Sequence, residues 1–542
     1  MLIRAEASFK PEAFSQFGIP GYDDQTVDLG PDNAKRFRAA VVRARSELQD
    51  NLQIEHDPNV REDLEVMITA AADDIESSEL QERLVLSWTD APQLVFEGIH
   101  SLLSKQVAAD RWGHALYRLK RYAGMMTGTP PVMMLARQRY EERLGDAALL
   151  RPNTREVEQA IRNAKIYMIG IRKLFADFNV AGGQDALNVI DSQADDYVAW
   201  LRATVLPHAR TETKLPPALY ADALKRVGID IDPQSLIRRA ELEFIETRAE
   251  MQHLAPLVAR EKGIAATDYR DVIRALKREA IPTGELESQY RNVIEKIELI
   301  IRKQGIVAEP NRPMEMRLGT AAENASQPAP HFLPAPLVGN TGQQGTFVLS
   351  LGDPALGEEG AYDDFNYPSA VWTLAAHEGR PGHELQSTAM IERGVSHARA
   401  VFAANSVNLE GWVLYAEAEM MPYEPLDAQL IAARAVLDPM LNLGLIDRDE
   451  AGKVLTRDAV LSRAMVRQEL DRYSFNMPGQ AASYFYGYAR IMELRMETEL
   501  ALDNAFDRFA FNNFLLDQGP LPPSLLAKAV RQQFIPAQLA KH

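Results

Sequence analysis

The segment WTLAAHEGRPGHELQ, residues 372–386, constrains the fold of this chain more than any other part of the sequence. It contains His377 and His383, which are six residues apart. Six steps of about 100° place two side chains on different faces of a regular α-helix. The intervening Gly-Arg-Pro-Gly disfavours a regular helix, because proline lacks an N–H group and glycine is conformationally permissive. The sequence therefore predicts a helix that is broken or bulged at Arg380–Gly382, which would bring His383 back towards His377.

These two histidines, with a glutamate beside the first, are the residue types of a hydrolytic metal site. Imidazole nitrogens bind zinc, and a neighbouring carboxylate such as that of Glu378 is the base that such a site needs. The familiar arrangement is H-E-x-x-H, in which the histidines lie four residues apart on one helix face. Because the spacing here is different, two unrelated histidines beside a loop are the alternative interpretation.

The composition restricts the class of protein. With 542 residues, of which 46% are apolar and 25% charged, the chain can bury a large core. Its net charge of −17 argues against a nucleic-acid-binding surface, which would need concentrated Lys and Arg. There is no cysteine, which excludes disulfides, thiolate zinc sites and cysteine nucleophiles. No apolar run is long enough for an N-terminal signal peptide or a membrane span, so we expect a cytoplasmic protein.

Much of the first half has the pattern of amphipathic helices. Asn153, with Glu156 three residues later, matches a capping box and predicts the start of a helix. Asp232 is a candidate cap for another long helix that begins at Pro233. In the helix after Asn153, apolar residues recur every three or four positions, which predicts one buried stripe. Its members are Val157, Ala160, Ile161, Ala164, Met168, Ile171, Leu174 and Phe175.

The composition changes at Ala321–Asp353, which is dense in proline and glycine. Within it, Gly345–Leu351 (GTFVLSL) contains β-branched and aromatic residues and predicts a short strand. A strand just ahead of the histidines would form a sheet edge beside the cleft, where an extended peptide can be added as a further strand. An ordinary hairpin that covers the core is the alternative.

A second helix supplies a candidate third metal ligand. The sequence NLEGWVLYAEAEMM contains Glu410, which is 33 residues beyond His377, and Glu417, seven residues later on the same helix face. A carboxylate from a second helix completes a set of two histidines and one carboxylate, leaving a fourth position for water. The surrounding residues are apolar, and a partly buried carboxylate needs a partner that a metal would provide.

A third stretch, Glu469–Arg495, is rich in aromatic side chains. Phenolic hydroxyl groups can donate a hydrogen bond to an oxyanion, and Arg472 can hold a carboxylate with two hydrogen bonds. The alternative is that these aromatic residues belong to the core. The tyrosines concerned are Tyr473, Tyr484, Tyr486 and Tyr488.

Taken together, the three stretches resemble a bacterial family labelled domain of unknown function 885, whose members are similar to helical zinc peptidases of the gluzincin type. The resemblance covers about Ala321–Leu500 and extends more loosely into the helical N-terminal half. The matching positions in the first stretch are His377, Glu378, Pro381, Gly382, His383 and Gln386. Those in the second are Glu410, Gly411, Trp412, Leu414, Tyr415, Ala416 and Glu417. Those in the third are Arg472, Tyr473, Pro478, Gly479, Gln480, Ala481, Tyr484 and Gly487.

Four positions depart from the family pattern. Arg380 stands where an apolar residue is common, and Glu384 follows His383 where the family often has another histidine. Asn442 and Ile446 occupy positions where members often have Asp and His. The residues that would bind the metal are retained despite these changes.

The resemblance implies a mainly α fold, with a large helical body, a deep active-site channel and a small β-sheet at the cleft wall. We expect residues 1–315 to form one side of the channel and residues 316–542 to contain the zinc site. The two parts are expected to form one continuous body.

The resemblance also implies a zinc-dependent hydrolase, a metallopeptidase that cleaves short peptides. The implied Zn²⁺ ligands are His377, His383 and Glu410. The implied catalytic residues are Glu378, which would pass a proton from the attacking water to the leaving amine, and Tyr484, which would donate to the oxyanion. Residues expected to orient the ligands or contact substrate are Gln386, Glu417, Arg472 and Tyr473.

Two other functions fit the same residues. One is a metal-stabilised protein that binds a peptide or another ligand without turnover, and the other is a hydrolase of non-peptide amides or esters. The expected partner is a peptide or a small amide, rather than a nucleic acid or a membrane. The sequence predicts no particular oligomeric state.

Overall fold

The computed structural model describes residues 1–437 and 448–541, and this part of the chain is mainly α-helical, as predicted. A long helical series occupies the chain as far as residue 304. Its helices are α1 (Leu2–Ala7), α2 (Pro11–Gln16), α3 (Asn33–Ile54), α4 (Pro58–Leu84), α5 (Ala91–His100), α6 (His114–Tyr122), α7 (Val132–Glu141), α8 (Thr154–Asp177), α9 (Gln184–Trp200), α10 (Pro217–Arg226), α11 (Pro233–Lys262), α12 (Tyr269–Leu276) and α13 (Thr283–Gln304).

The remainder contains a small sheet and further helices. The strands are β1 (Glu315–Leu318), β2 (His331–Leu333) and β3 (Thr346–Leu349). The helices are α14 (Ala321–Ser326), α15 (Pro368–Leu374), α16 (His383–Glu392), α17 (Ser406–Met420), α18 (Leu426–Leu437), α19 (Arg448–Arg457), α20 (Arg463–Asp471), α21 (Gln480–Leu502), α22 (Arg508–Asp517), α23 (Pro523–Ala529) and α24 (Ile535–Leu539).

Two long helices of the first half begin where their capping residues predict. The Asn153 side chain accepts from the Arg155 N–H, and Glu156 accepts from the Asn153 N–H at 3.1 Å, which confirms the capping box. Asp232 accepts from the Ser235 N–H at the start of α11. Most of the predicted apolar stripe of α8 is buried, and α8 packs against α5 and α9.

The sheet has the strand order β1–β3–β2, with β1 parallel and β2 antiparallel to β3. The strand predicted at Gly345–Leu351 is present as β3, and all four of its residues are buried. The prediction that it would form a sheet edge is wrong, because a run buried along its whole length suits a strand paired on both sides. The sheet reaches the cavity described below through His331 and Phe332 of β2.

Helices α17 and α21 cross at a pair of glycines. A β-carbon on Gly487 would lie 2.0 Å from the Val407 carbonyl oxygen, and one on Gly411 would lie 2.5 Å from the carbonyl carbon of Gly487. No side chain fits in so little space, so both positions require glycine. The close crossing brings Glu410 of one helix and Tyr484 of the other to the same cavity.

The buried apolar side chains form several clusters. The largest includes residues of α13, β1, β3 and α15 to α17, and therefore surrounds the predicted site. Another lies among α5 to α9. Among the described residues, no helix combines the length and the apolar character that a membrane crossing requires. The division at residue 315 and the cytoplasmic location stay predictions.

Candidate metal centre

The helix that contains His377 breaks where the sequence predicts a break. Regular α-helix ends at Leu374, and a π-helical turn covers Ala375–Gly379. Arg380 is extended, with φ −112° and ψ 135°, and α16 begins at His383. The centroids of the two imidazole rings are consequently 5.2 Å apart, which confirms that the break brings the histidines together.

Two close contacts hold the chain in this broken form. The indole N–H of Trp412, on α17, donates a hydrogen bond of 2.9 Å to the Pro381 carbonyl oxygen. A β-carbon on Gly382 would lie 1.9 Å from the His377 carbonyl oxygen, so the turn closes only with glycine at this position. The Glu-Gly-Trp motif of α17 therefore supports the histidine segment directly.

His377, His383 and Glu410 come together as a set of potential metal ligands. The Nε2 atom of His383 lies 3.4 Å from Glu410 Oε2, and that of His377 lies 3.8 Å from the same oxygen. One ligand atom from each residue lies within 4.8 Å of the others. Glu410 Oε2 is buried and makes no hydrogen bond within the described part of the chain. Two imidazole nitrogens that face an unpartnered carboxylate oxygen fit a divalent metal such as Zn²⁺.

Glu417 holds His377 from the other side of the ring. Its Oε1 atom accepts a hydrogen bond of 2.6 Å from His377 Nδ1. With Nδ1 committed to this carboxylate, Nε2 faces Glu410 and is available to a metal. Burial lowers the pKa of His377, but the hydrogen bond to Glu417 and the nearby carboxylates outweigh this effect and raise that pKa to about 9. Glu417 therefore contacts one potential metal ligand, His377, whereas Glu410 faces both histidines.

Glu410 is held by Gln480, a residue to which the sequence assigned no role. Gln480 lies at the start of α21 and donates from Nε2 to Glu410 Oε1 at 3.1 Å. Its own Oε1 accepts a hydrogen bond of 2.6 Å from Arg472, whose guanidinium group also pairs with Glu469. Arg472 thus fixes Glu410 through Gln480. The only clue to this contact in the sequence is that Gln480 belongs to the Pro-Gly-Gln-Ala motif. The sequence does not indicate which carboxylate its side-chain amide would bind.

Glu378 lies beside the histidines in a position suited to a base. Its side chain is 6% exposed, and its Oε2 atom makes no hydrogen bond with the described residues. Burial raises the pKa of Glu378, and His377 and His383 partly offset that effect. A buried carboxyl group with a free oxygen and a raised pKa is suited to accepting and releasing a proton.

Tyr484 faces the metal-ligand set, whereas its neighbouring tyrosines are engaged elsewhere. Its ring stacks on that of His377, with centroids 6.1 Å apart and an interplanar angle of 16°. Burial raises the pKa of Tyr484 well above its ordinary value, so the phenol stays protonated and can donate. Tyr486 donates to Asp230, and Tyr488 packs against the largest apolar cluster.

Of the remaining predicted site residues, Gln386 lines the cavity beside this centre and Tyr473 does not. The side-chain amide of Gln386 donates to Asn408 at 3.0 Å, and Gln386 lines the same cavity. Tyr473 is largely buried in an apolar cluster. Asn442 and Ile446, the two departures furthest along the chain, lie outside the described residues.

The metal-ligand set lies in the wall of one cavity of about 1030 Å³. Its wall combines residues of α5 and α8 from the first half with residues of β2, α16, α17, α20 and α21 from the second. The three potential metal ligands, Glu378 and Tyr484 all line it. A cavity of this size admits a drug-sized molecule or several residues of an extended peptide.

The two departures nearest the histidines form a buried ion pair. Arg380 donates from Nε to Glu384 Oε2 at 2.6 Å, and the two residues are 4% and 1% exposed. Arg380 also donates to Glu298 on α13 at 3.1 Å and to the Arg312 carbonyl oxygen. The pair bridges the break, because Arg380 lies within it and Glu384 follows His383. Two departures that look independent in the sequence are therefore partners in one ion pair.

We expect Glu384→Gln to destabilise the protein by about 3 kcal/mol, because the Arg380 charge stays buried with weaker compensation. The change in unfolding free energy is measurable by urea denaturation followed by circular dichroism. The double variant Arg380→Met/Glu384→Gln should lose less stability than Glu384→Gln alone, since it also removes the uncompensated charge of Arg380.

Glu287→Gln is the matched control for this prediction. It also breaks an Arg–Glu pair four residues apart, but Glu287 and Arg291 are 43% and 47% exposed. Exposed ion pairs contribute little to stability, so we expect the free energy of unfolding to change by less than about 0.5 kcal/mol. If Glu384→Gln lowered the free energy of unfolding no more than the control does, the buried pair would not stabilise the broken helix.

The chain belongs to the family described as "Bacterial protein of unknown function (DUF885)", which matches residues 11–530. This confirms the family indicated by the three motifs, and its description assigns no activity. No curated protein matches the chain.

Two solved structures of bacterial proteins share the fold over nearly the whole chain. One, described as a "putative lipoprotein" from Colwellia psychrerythraea, has 17% sequence identity and a TM-score of 0.79, with 98% of this chain and 97% of that chain covered. The other, a "putative lipoprotein of unknown function" from Shewanella oneidensis, has 17% identity and a TM-score of 0.71, with 98% of each chain covered. At this identity the similarity establishes the fold alone.

Proposed function

We propose that this member of the family is a zinc-dependent hydrolase, and more specifically a metallopeptidase that cleaves short peptides. The observation on which the proposal rests is the convergence of His377, His383 and Glu410 in a large cavity, with Glu378 beside them. The resemblance to gluzincin-type peptidases that the sequence motifs suggest stays a prediction, and it favours the same reaction class.

In the proposed reaction, different residues bind the metal and transfer the proton. A Zn²⁺ ion held by His377, His383 and Glu410 would supply a Lewis acid that makes water nucleophilic near neutral pH and polarises a carbonyl group. Glu378 accepts the proton that the attacking water loses as the new C–O bond forms. The same proton passes to the leaving nitrogen as the C–N bond breaks, so the carboxylate ends in its starting state.

Neighbouring side chains keep these groups in position. Glu417 fixes the tautomer and orientation of His377 through its 2.6 Å hydrogen bond, and Gln480 steadies Glu410. Tyr484, stacked on His377, donates a hydrogen bond to the oxygen that gains negative charge when water adds to the carbonyl group.

We expect Tyr484→Phe to lower kcat and kcat/KM by similar factors of about 10²–10³, because the phenol acts on charge that develops only in the transition state. Zinc content and thermal stability should change little, since the ring and its stacking on His377 remain. Steady-state kinetics on a cleaved peptide provide the measurement.

Tyr486→Phe is the matched control, because its hydroxyl group is bonded to Asp230. It removes the same atom from a tyrosine two residues further along the same helix and should leave kcat near the wild-type value. An unchanged kcat in Tyr484→Phe beside an impaired Tyr486→Phe would assign the oxyanion role to Tyr486.

Metal analysis of the purified protein, followed by digestion of a peptide library, tests the proposed function. We expect about one zinc per chain, and cleavage that stops when a chelator removes zinc and returns when zinc is restored. Matched non-peptide amides and esters in the same digestion separate a peptidase from a more general hydrolase. Bound zinc without cleavage of any substrate would favour a metal-stabilised binding protein, and a protein unable to bind zinc would overturn the proposal.

A further inference from the structure

Two arginines line the cavity without an ion-pair partner among the described residues. Arg162 lies on α8 and Arg467 on α20, and both line the cavity that contains the metal-ligand set. Neither forms a hydrogen bond or an ion pair with any residue that the structure describes. Arg472, which also lines the cavity, differs because Glu469 and Gln480 occupy its guanidinium group.

The two arginines approach the same part of the wall from distant parts of the chain. Both α8 and α20 contact the 3₁₀ turn Pro354–Gly360, which Asp353 caps by accepting a hydrogen bond of 2.9 Å from the Ala355 N–H. Burial raises the pKa of Asp353, and the charges of Arg162 and Arg467 partly offset this. Both guanidinium groups are therefore within electrostatic range of Asp353, although neither forms an ion pair with it.

Much of the remaining lining is acidic. Besides Asp353, six lining carboxylates have no arginine or lysine partner among the described residues. They are Asp90, Glu97, Glu156, Glu378, Glu410 and Glu417. Within this acidic lining, Arg162 and Arg467 attract a negatively charged substrate group. A guanidinium group in a partly enclosed space pairs best with a carboxylate, to which it can form two parallel hydrogen bonds.

We propose that Arg162 and Arg467 form a subsite for a carboxylate of the substrate, so that peptides with a free C-terminal carboxylate are preferred. The inference rests on the proposed function, because it specifies the substrate class of the same cavity. An acidic side chain presents the same chemistry to the arginines as a C-terminus does.

Binding without turnover tests the subsite. Purified Glu378→Gln protein is equilibrated across a dialysis membrane with mixed tetrapeptide libraries, and mass spectrometry measures the peptides retained. The first library has free C-termini and no acidic residues, the second is its C-terminal amide, and the third contains amides with one Asp or Glu. We expect the free acids to be retained about tenfold more than the plain amides, as for one favourable ion pair in a partly enclosed site.

In the same background, Arg162→Met and Arg467→Met should each reduce the retention of free acids towards that of the amides. Arg463→Met is the matched control, because Arg463 lies on the same helix as Arg467 but, unlike Arg162 and Arg467, is outside the cavity lining. Equal retention of the first two libraries, retention of none, or no effect of the two variants would overturn the proposal. Amides with Asp or Glu that bind as well as the free acids would support the subsite and overturn the preference for a C-terminus.

Digestion of the same libraries by the wild-type protein separates this inference from the proposed function. A carboxylate preference in binding without any cleavage would overturn the hydrolase and support the subsite. Cleavage of acids and amides at equal rates, with equal binding, would support the hydrolase and overturn the subsite.

Discussion

Glu378→Gln is expected to lower kcat by about 10²–10⁴ while the protein keeps its full zinc content. Glutamine has the size of glutamate, so the positions of His377 and His383 should persist. Its amide cannot take a proton from water, so the step that creates the nucleophile and the step that protonates the leaving amine both fail. The measurements are kcat on the best peptide of the digestion and the metal content of the same sample.

Glu424→Gln is a control for the effect of altering a buried glutamate. Glu424 is 6% exposed, as is Glu378, but it does not line the cavity. Burial and the nearby Glu417 raise the pKa of Glu424 to about 8, so most of it is protonated at neutral pH and an amide resembles it closely. Near wild-type kcat is therefore expected. Equal losses of kcat in the two variants would indicate that replacing any buried glutamate disturbs the structure. Wild-type kcat in Glu378→Gln would exclude Glu378 as the base.

Features that depend on residues close together in the sequence could be predicted. The break between His377 and His383 follows from glycine and proline at positions where a regular helix would separate the two rings. The start of α8 follows from Asn153 and Glu156, which satisfy each other's backbone groups within one turn. Backbone preferences act over a few residues, so a short segment contains all the information needed for such features.

Features that join distant segments could not be predicted in this way. Gln480 holds Glu410 across 70 positions, and Arg380 reaches Glu298 across 82. Neither partner shows a spacing or pattern that singles out the other. The central place of β3 depends on β1 and β2, so its own sequence predicts a strand but not the number of its neighbours.

Glu410→Gln is expected to weaken zinc binding by more than about 100-fold, and Glu417→Gln by about 10–100-fold. Glu410 Oε2 faces Nε2 of both His377 and His383, so in the proposed site its loss would remove a direct bond to the cation. Glu417 acts through Nδ1 of His377, and a glutamine oxygen can still accept that hydrogen bond, although less strongly than a carboxylate. Competition with a chelator of known zinc affinity measures both constants.

Glu97→Gln provides the baseline for this comparison, since it is the same substitution in the same cavity at a carboxylate bonded to Gln93 and Ser326. It should leave zinc affinity unchanged. The comparison is informative because Glu410 and Glu417 lie two turns apart on one face of α17, so each is within reach of the histidines. A greater loss in Glu417→Gln would make Glu417 the metal ligand and Glu410 the residue that orients it. In that case Glu417 would bind zinc through Oε2, which makes no hydrogen bond with the described residues, while Oε1 kept its bond to His377.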